Sequence, residues 1–297
     1  MTKKLFLTMT LFASAATMFV ACGDKDDDNE PEVVDLGLPS GTLWAKTNLG
    51  AKKAWDFGDY FAWGETQPKT DYSWETYKYC DGTDTSLTKY CYNAICGKNG
   101  FTDIVGDFDF IEGLTTLELA DDAATAVLGA GYSMPTEADW GELRSQCYWE
   151  WTWNYGGHNV SGYMVFKAKS DSEKGFVEFS FPDFPADNDF PAHNITDPHI
   201  FLPATGIRTG LDFRGFLAKP NGDSDIPFGN YWASSIRVRS LQMESDSFRI
   251  ELGLWPDKNA LYVQIPDIGG FYINGEFYIN ITGPRCHGHS IRPVKRP

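Results

Sequence analysis

The sequence predicts an α+β domain in which two helices pack beside a largely antiparallel sheet with long loops. Two segments have the apolar spacing of amphipathic helices, and most segments after Tyr148 are rich in aromatic and β-branched residues, as strands are. No internal repeat of about 20–50 residues and no Pro/Ser/Gly-rich linker divides residues 33–297. We therefore expect these residues to form a single domain.

The two helices are predicted from apolar spacing and from residues that favour helix ends. In residues 117–128 one face would carry four apolar residues: Leu117, Ala120, Ala124 and Val127. Gly129 should end this helix. The second helix should begin after Thr136, with Asp139 completing a capping box. Its inward stripe would then consist of Trp140, Leu143 and Cys147.

The strands are predicted from runs of aromatic and β-branched residues. Such runs occur at residues 162–168, 176–181, 200–202, 248–252 and 261–265. Residues 271–279 should form a hairpin with Asn274 and Gly275 at its turn, because Asn-Gly accepts the positive φ angles of a type I′ turn.

The N-terminus has the pattern of an exported lipoprotein. Residues 1–21 combine a basic start with an apolar run that is shorter than the roughly 20 residues of a membrane-spanning helix, as signal peptides do. The run ends in Phe-Val-Ala-Cys, which resembles a lipobox and predicts a lipid on Cys22. Residues 22–32 are strongly acidic and almost without apolar side chains, which predicts a disordered tether. We expect a lipid-anchored protein of the outer membrane, exposed at the cell surface, with the membrane as a partner.

Composition limits the other partners. The formal net charge is −16, with 41 acidic and 25 basic residues, and aromatic residues make up 15% of the chain. Nucleic acids bind clustered Lys and Arg side chains that displace counterions. The sequence therefore argues against nucleic acid as a partner.

The cysteines allow disulfides but do not define them. With Cys22 lipidated, five cysteines remain, so at least one thiol stays free even in an oxidising compartment. The candidates for a disulfide are the closely spaced Cys80, Cys91 and Cys96. A structural or free thiol is the alternative at each position.

An ordered series of short motifs carries a family resemblance. The motifs, with their positions, are VDLGLPSGTLWA at 34–45, TNLGA at 47–51, GDYFAWGE at 58–65, LTKY at 87–90, DDAA at 121–124, MPTEADW at 134–140, IFLPA at 200–204, GIR at 206–208, YWASS at 231–235 and GHSIRPV at 288–294. In this order they resemble the major paralogous domain first described from Fibrobacter succinogenes, which is abundant in Bacteroidetes lipoproteins. The resemblance covers nearly all of the chain after the tether.

The resemblance implies a C-type-lectin-like fold. In that fold the two ends of the domain pair in one sheet, which would place residues 43–45 beside residues 290–294. The fold displays its ligand surface on long loops of its second half. Because one fold serves many functions, the site needs an argument of its own.

The candidate ligand site is an aromatic platform. Trp149, Trp151, Trp153 and Tyr155 alternate, so they would share one face of an extended strand. Large rings on one face suit a sugar or a protein partner, but they are equally typical of a core. His158 follows in a glycine-containing loop, and Trp255 with Asp257 offers a further aromatic and acidic pair.

Metal sites and catalysis have weaker signals. Asn221, Asp223 and Asp225 offer oxygens beside a proline, as calcium loops of lectins do, and calcium is the one cofactor to consider. An ordinary polar turn is the alternative. Formylglycine-generating enzymes, which share the fold, use a pair of late cysteines, whereas this chain has only Cys286 there, beside His287 and His289. No catalytic residue is predicted.

These observations predict a surface-anchored, noncatalytic lipoprotein that binds a glycan or a protein through long loops. The first alternative is a structural component of a fimbria or of envelope assembly. The second is a metal-dependent enzyme related to formylglycine-generating enzymes.

Overall fold

The computed structural model describes residues 30–84, 86–90, 114–178, 189–217, 226–236, 259–265 and 280–297. Residues Pro31–Pro297 form one compact unit. The described residues contain two α-helices, α1 (Ala123–Leu128) and α2 (Glu137–Gln146). They also contain fifteen strands: β1 (Val33–Val34), β2 (Leu43–Ala45), β3 (Tyr132–Ser133), β4 (Cys147–Thr152), β5 (Gly162–Lys167), β6 (Val177–Glu178), β7 (His199–Pro203), β8 (Ile207–Thr209), β9 (Asp212–Arg214), β10 (Phe216–Leu217), β11 (Ile226–Pro227), β12 (Gly229–Trp232), β13 (Asn259–Ile265), β14 (Asn280–Pro284) and β15 (Val294–Lys295).

The described part of the chain is therefore α+β with mostly antiparallel sheets, as predicted. The larger sheets have the strand orders β1-β2-β15-β3, β6-β4-β5-β7 and β12-β13-β14, and two hairpins pair β8 with β9 and β10 with β11. The only parallel pair of named strands in the described residues joins β4 to β6. The predicted strands at residues 162–168, 200–202 and 261–265 correspond to β5, β7 and β13.

The two ends of the domain pair in one sheet, as the resemblance implied. Val294 of β15 lies opposite Trp44 of β2 on one side and opposite Ser133 of β3 on the other. The amide of Ala45 donates to the carbonyl of Pro293, and that of Leu49 donates to the carbonyl of Ile291. Both termini of the domain are thereby fixed to each other.

The ordered chain begins before the predicted boundary of the tether. Glu32 was assigned to the disordered segment, yet its side chain forms an ion pair with Lys46 at 2.8 Å. The backbone amide of Lys46 also donates to the carbonyl of Glu32. These contacts extend the β1–β2 pairing by one residue, which the charge of the segment alone could not indicate.

Helix α2 begins with the predicted capping box of Thr136 and Asp139. The Thr136 hydroxyl accepts from the amide of Asp139 at 3.2 Å, and the Asp139 carboxylate accepts from the amide of Thr136 at 2.7 Å. The predicted inward residues Trp140, Leu143 and Cys147 are all buried. Cys147 begins β4 rather than extending the helix.

Helix α1 is shorter than predicted. Asp122 breaks the segment because its carboxylate caps the helix from outside, accepting from the amides of Thr125 and Met134 at 3.0 and 2.8 Å. The preceding residues form only a single 3-10 turn. Ala120 and Val127, predicted on the inner face, are exposed. Gly129 ends the helix with a φ of 87°, as expected.

One apolar cluster lies between helix α2 and the two four-stranded sheets. Trp140 of the helix contacts Trp44 of β2 edge to face, with ring centroids 4.8 Å apart. Leu143 packs in the same cluster with residues of β4, β5 and β7. Burying these large rings removes most of their apolar area from water, at about 25 cal/mol per Å².

A second apolar cluster is held by two tryptophans that exchange hydrogen bonds with each other's segments. The Trp63 indole donates to the carbonyl of Ala233 at 2.8 Å, and the Trp232 indole donates to the carbonyl of Phe61 at 2.7 Å. His289 stacks on Trp232 with ring centroids 3.8 Å apart. The indole N–H groups are thus satisfied inside the core, where an unpaired donor would be costly.

A buried arginine connects the paired chain ends to the β6-β4-β5-β7 sheet. Arg292 is 0% exposed, and its guanidinium donates to three acceptors: Asn48 Oδ1 at 2.9 Å, Ala45 O at 3.0 Å and Phe201 O at 2.7 Å. Burial lowers the pKa of Arg292 to about 10. Its hydrogen bonds compensate for the removal of the cation from water.

Several predicted features lie outside the described residues. They are the signal peptide with Cys22, the strand at residues 248–252 and the hairpin at residues 271–279. In the described ranges, no helix has both the length and the apolar character required to cross a bilayer.

We expect Arg292→Met to lower the free energy of unfolding by about 3–5 kcal/mol, because three buried acceptors would lose their donor. Urea denaturation of a soluble form starting at Asp24 would measure it. Arg214→Met is the matched control, since Arg214 is exposed and makes no side-chain hydrogen bond to the described residues; its effect should stay within about 0.5 kcal/mol. Equal effects of the two substitutions would contradict this role of Arg292.

Candidate ligand-binding surfaces

The predicted aromatic platform is part of the core, so the prediction of an exposed site there is wrong. Trp149 and Trp151 do share one face of β4, but they are only 3% and 4% exposed. That face packs on helix α2, where the Trp149 indole donates to the carbonyl of Leu143 at 3.3 Å. Tyr163 of the neighbouring strand contacts both indoles edge to face. Trp153 is half-buried beside Trp151, with ring centroids 5.8 Å apart.

Tyr155 is also buried, where it holds the turn that follows β4. Its ring stacks on Phe201 with centroids 3.9 Å apart. Its hydroxyl lies 2.9 Å from His199 Nε2, and His199 Nδ1 lies 2.8 Å from the carbonyl of Asp197. Because a carbonyl only accepts, Nδ1 carries the proton and Nε2 accepts from the hydroxyl. Burial lowers the pKa of His199, which keeps the imidazole neutral in this arrangement.

The turn presents His158 at the surface. Gly156 and Gly157 adopt φ angles of 56° and 85°, and the amide of Asn159 donates to Asn154 Oδ1 at 2.6 Å. His158 is exposed and stacks on Trp55, with ring centroids 3.5 Å apart and planes 12° apart. His158 thus lies in a glycine-containing turn, as predicted, and its side chain is exposed.

Ile195 extends this exposed area. A Cβ at Gly156 would lie 3.5 Å from Ile195 Cδ1 and 3.4 Å from His158 Cδ2, so these two side chains are neighbours. Ile195 is 50% exposed. We call Trp55, His158 and Ile195 the Trp55 surface.

The β8–β9 hairpin forms a second exposed area. Its turn residue Leu211 is 76% exposed, and Phe213 is 46% exposed. The backbone of the hairpin is fixed at two places, because Arg208 in β8 exchanges backbone hydrogen bonds with Gly288 and Gly210 in the turn exchanges them with Tyr72. Gly288 is required at this crossing, since a Cβ there would lie 2.7 Å from the Tyr72 ring.

Arg208 lies over two rings of this second area. Its guanidinium carbon is 5.2 Å from the ring centroid of Tyr60 and 5.5 Å from that of Phe213. The two rings contact each other edge to face at 6.2 Å. Arg208 lies directly opposite Phe213 in the hairpin, so both side chains leave the same face. We call Tyr60, Arg208, Leu211 and Phe213 the hairpin surface.

The other predicted site residues lie outside the described residues. They are the calcium candidates Asn221, Asp223 and Asp225, the pair Trp255 and Asp257, the lipidation site Cys22, and the disulfide candidates Cys91 and Cys96. Within the described ranges, no group of three or more His, Cys, Asp or Glu side chains is placed to hold a metal ion.

The described cysteines are free thiols. Cys80, a disulfide candidate, is a free thiol whose sulfur lies 2.9 Å from the carbonyl of Trp74, and its candidate partners lie outside the described residues. Cys147 and Cys286 are buried, and burial raises the pKa of each to about 12. A thiol that stays protonated is a poor nucleophile, so these two behave as core residues.

The late histidines are not surface-loop residues. His289 is 1% exposed, and its amide donates to the carbonyl of Phe61. Burial lowers the pKa of His289 well below its ordinary value. His287 is half-buried beside it, with ring centroids 6.4 Å apart. His289 is therefore a core residue, because it and Gly288 pair with other segments of the core.

The sequence reasoning did not single out Trp55, Tyr60, Arg208 or Phe213. Tyr60 and Arg208 lie inside two of the quoted motifs, GDYFAWGE and GIR, but a motif does not show which of its side chains reach solvent. The signal that could have indicated the hairpin is Gly210 between residues that alternate in polarity.

We expect the domain to lose stability as the pH falls below about 6.5, the ordinary pKa of histidine. The folded-state pKa of His199 is lowered, so the unfolded chain takes up the proton first and stability drops between the two values, by at most about 1.4 kcal/mol per pH unit for this group. Urea denaturation at pH 7.5 and 5.5 would measure the loss. His199→Gln should reduce the dependence on pH, and an unchanged dependence in that variant would contradict the role of His199.

No family model, curated protein or solved structure matches the chain. These surfaces are therefore interpreted from their own chemistry.

Proposed function

We propose that the protein is a noncatalytic, surface-anchored lipoprotein whose C-type-lectin-like domain binds a glycan or a protein ligand. The observation that carries the proposal is the Trp55 surface, an aromatic stack exposed on a turn that is itself rigidly held. Trp55 is half-buried, His158 is exposed, and Ile195 adds an exposed apolar side chain.

The Trp55 surface has the chemistry that a sugar or a protein partner requires. Aromatic rings offer large apolar faces at a small cost in conformational entropy. The turn below is already ordered by the buried Tyr155 and by the contact between Asn154 and Asn159. A preformed surface loses little freedom on binding, which favours affinity.

Two features support the C-type-lectin-like fold. The β2 and β15 strands at the two ends of the domain pair with each other. The quoted motifs also occupy the elements that hold this arrangement together, including the capped start of α2 and the segment that carries Arg292.

The anchor supports a role outside the cytoplasm. A lipid on Cys22 and an acidic tether would hold the domain, which begins at Pro31, close to the outer face of a membrane. A diacylated cysteine provides enough buried methylene groups for stable attachment, at about 0.8 kcal/mol each.

Ligand binding should depend on Trp55. On an array of neutral glycans, the soluble form starting at Asp24 should bind a defined subset, and Trp55→Ala should weaken that binding at least about tenfold, because the stacked ring supplies contact area. His158→Ala should weaken it less. Leu119→Ala, at a side chain 71% exposed on the turn before α1, is the control and should bind normally. Binding to neutral glycans or to surface proteins that both Trp55→Ala and His158→Ala leave unchanged would contradict the proposed site.

Anchoring should depend on Cys22. Cell-derived protein should have an intact mass that matches cleavage after Ala21 and acylation of Cys22, and protease added to whole cells should remove the domain. Cys22→Ser should move the protein into the soluble fraction. An uncleaved N-terminus without lipid would contradict the anchor while leaving the ligand site open to its own test.

A further inference from the structure

We propose that the hairpin surface is a binding site for a sugar that carries a carboxylate, such as a uronic acid residue, with Arg208 as the group that receives the carboxylate. The inference names a ligand class and so rests on the proposed binding function, but it uses a surface other than the Trp55 surface.

The Arg208 guanidinium has no acceptor among the residues that the structure describes. Four of the six described arginines, Arg144, Arg285, Arg292 and Arg296, donate to carbonyl or carboxylate oxygens. The guanidinium of Arg208 has no carboxylate and no hydrogen-bond acceptor among the described residues, although the chain has 41 acidic residues to 25 basic ones. A planar cation with free N–H donors is suited to a carboxylate that arrives with a ligand.

The cation is also held in place. Tyr60 and Phe213 attract it through their ring faces, at distances of 5.2 and 5.5 Å. Tyr60 is itself buried, and its hydroxyl donates to the carbonyl of Thr205. The backbone of Arg208 is fixed by its two hydrogen bonds to Gly288, each 2.9 Å long. The guanidinium is therefore oriented before any ligand binds, and its N–H donors have no oxygen partner in the part of the chain that the structure describes.

An apolar area lies beside the cation. Phe213 and Leu211 are 46% and 76% exposed. A pyranose ring has an apolar C–H face that can lie on an aromatic ring while a carboxylate on the same sugar reaches a guanidinium beside it. One cation next to one exposed ring therefore matches a uronate residue.

An acidic peptide matches less well. An acidic peptide has carboxylates but no sugar ring whose apolar C–H face could lie on Phe213. Arg214 is the other arginine without a hydrogen-bond acceptor in the described ranges. It lies opposite Ile207 in the hairpin, whereas Arg208 lies opposite Phe213, so the two guanidinium groups leave opposite faces. Arg208 therefore acts as a single cation on its face.

Calorimetric titration with trigalacturonate tests the inference. The soluble form should bind it, and the affinity should fall as NaCl is raised from low to physiological concentration. Arg208→Gln should weaken binding at least about tenfold, because a charged hydrogen-bond donor is lost. Arg208→Lys, which keeps the charge but loses the planar donor pair, should bind with intermediate affinity. Phe213→Ala should also weaken binding.

Two controls separate charge from general damage. Arg214→Gln removes an unpaired guanidinium from the other face of the same hairpin, and it should bind trigalacturonate normally. The fully methyl-esterified trimer keeps the sugar rings and loses the charge, so it should bind wild-type protein at least about tenfold more weakly. Thermal unfolding of each variant would identify a loss of fold. The unfolding temperature of Arg208→Gln should stay close to that of wild type, because the guanidinium makes no hydrogen bond to the described residues.

The outcomes distinguish this inference from the proposed function. Trigalacturonate binding that Arg208→Gln abolishes and Trp55→Ala retains supports the hairpin site. Binding that is absent, or equal for the acid and its methyl ester, or insensitive to Arg208, overturns it, whatever neutral glycans do at Trp55. Equally tight, Arg208-dependent binding of hexaglutamate would also overturn it, because the ligand would then be an acidic peptide.

Discussion

The guanidinium of Arg292 reaches three parts of the domain that are far apart in the sequence. It donates to the end of β2 through Ala45, to the following loop through Asn48 and to β7 through Phe201. Taking a cation out of water is costly, and only a full set of hydrogen bonds makes the arrangement stable. The pairing of the chain ends and the position of the β6-β4-β5-β7 sheet therefore depend on one another through this side chain. The positions of both candidate surfaces depend on this arrangement. The Trp55 surface lies on the turn after β4, a strand of that sheet, and the hairpin pairs with Gly288, just before the segment that carries Arg292.

The many aromatic residues serve this interior before they serve any ligand. Trp44, Trp63, Trp140 and Trp232 are among the largest fully buried side chains, and the indole N–H groups of Trp63, Trp140 and Trp232 donate to backbone carbonyls. The carbonyls that receive the indoles of Trp63 and Trp232 lie on each other's segments, so the hydrogen bonds also fix how those segments cross. Aromatic content was therefore weak evidence for a binding platform, and the few rings that reach solvent carry more information than the many that do not.

Local patterns predicted local structure well, and they predicted the site poorly. The capping box at Thr136 and Asp139 depends on hydrogen bonds within four consecutive residues, so it could be predicted from the sequence alone. The alternation of Trp149 and Trp151 correctly placed both rings on one face of a strand, but which face is buried is decided by helix α2 and by β5. Helix α1 began late because Asp122 accepts an amide of Met134 outside the helix. Arg208 could not be recognised at all, because its importance is that it has no acceptor within the described ranges, and that is a property of the folded surroundings.

The hairpin shows how a rigid interior can support an exposed site. Its backbone is fixed by hydrogen bonds between Arg208 and Gly288 and between Gly210 and Tyr72, and the crossing leaves no room for a side chain at Gly288. Its tip contributes little to the core, since Leu211 and Phe213 remain largely in water. Leu211 and Phe213 are exposed, the Arg208 guanidinium has no hydrogen-bond acceptor among the described residues, and the backbone that carries them is fixed at two places. A surface with that combination is preorganised, so a ligand that reaches it need not order the chain first. This combination of a fixed backbone with exposed side chains is the physical reason for regarding the hairpin as a recognition element.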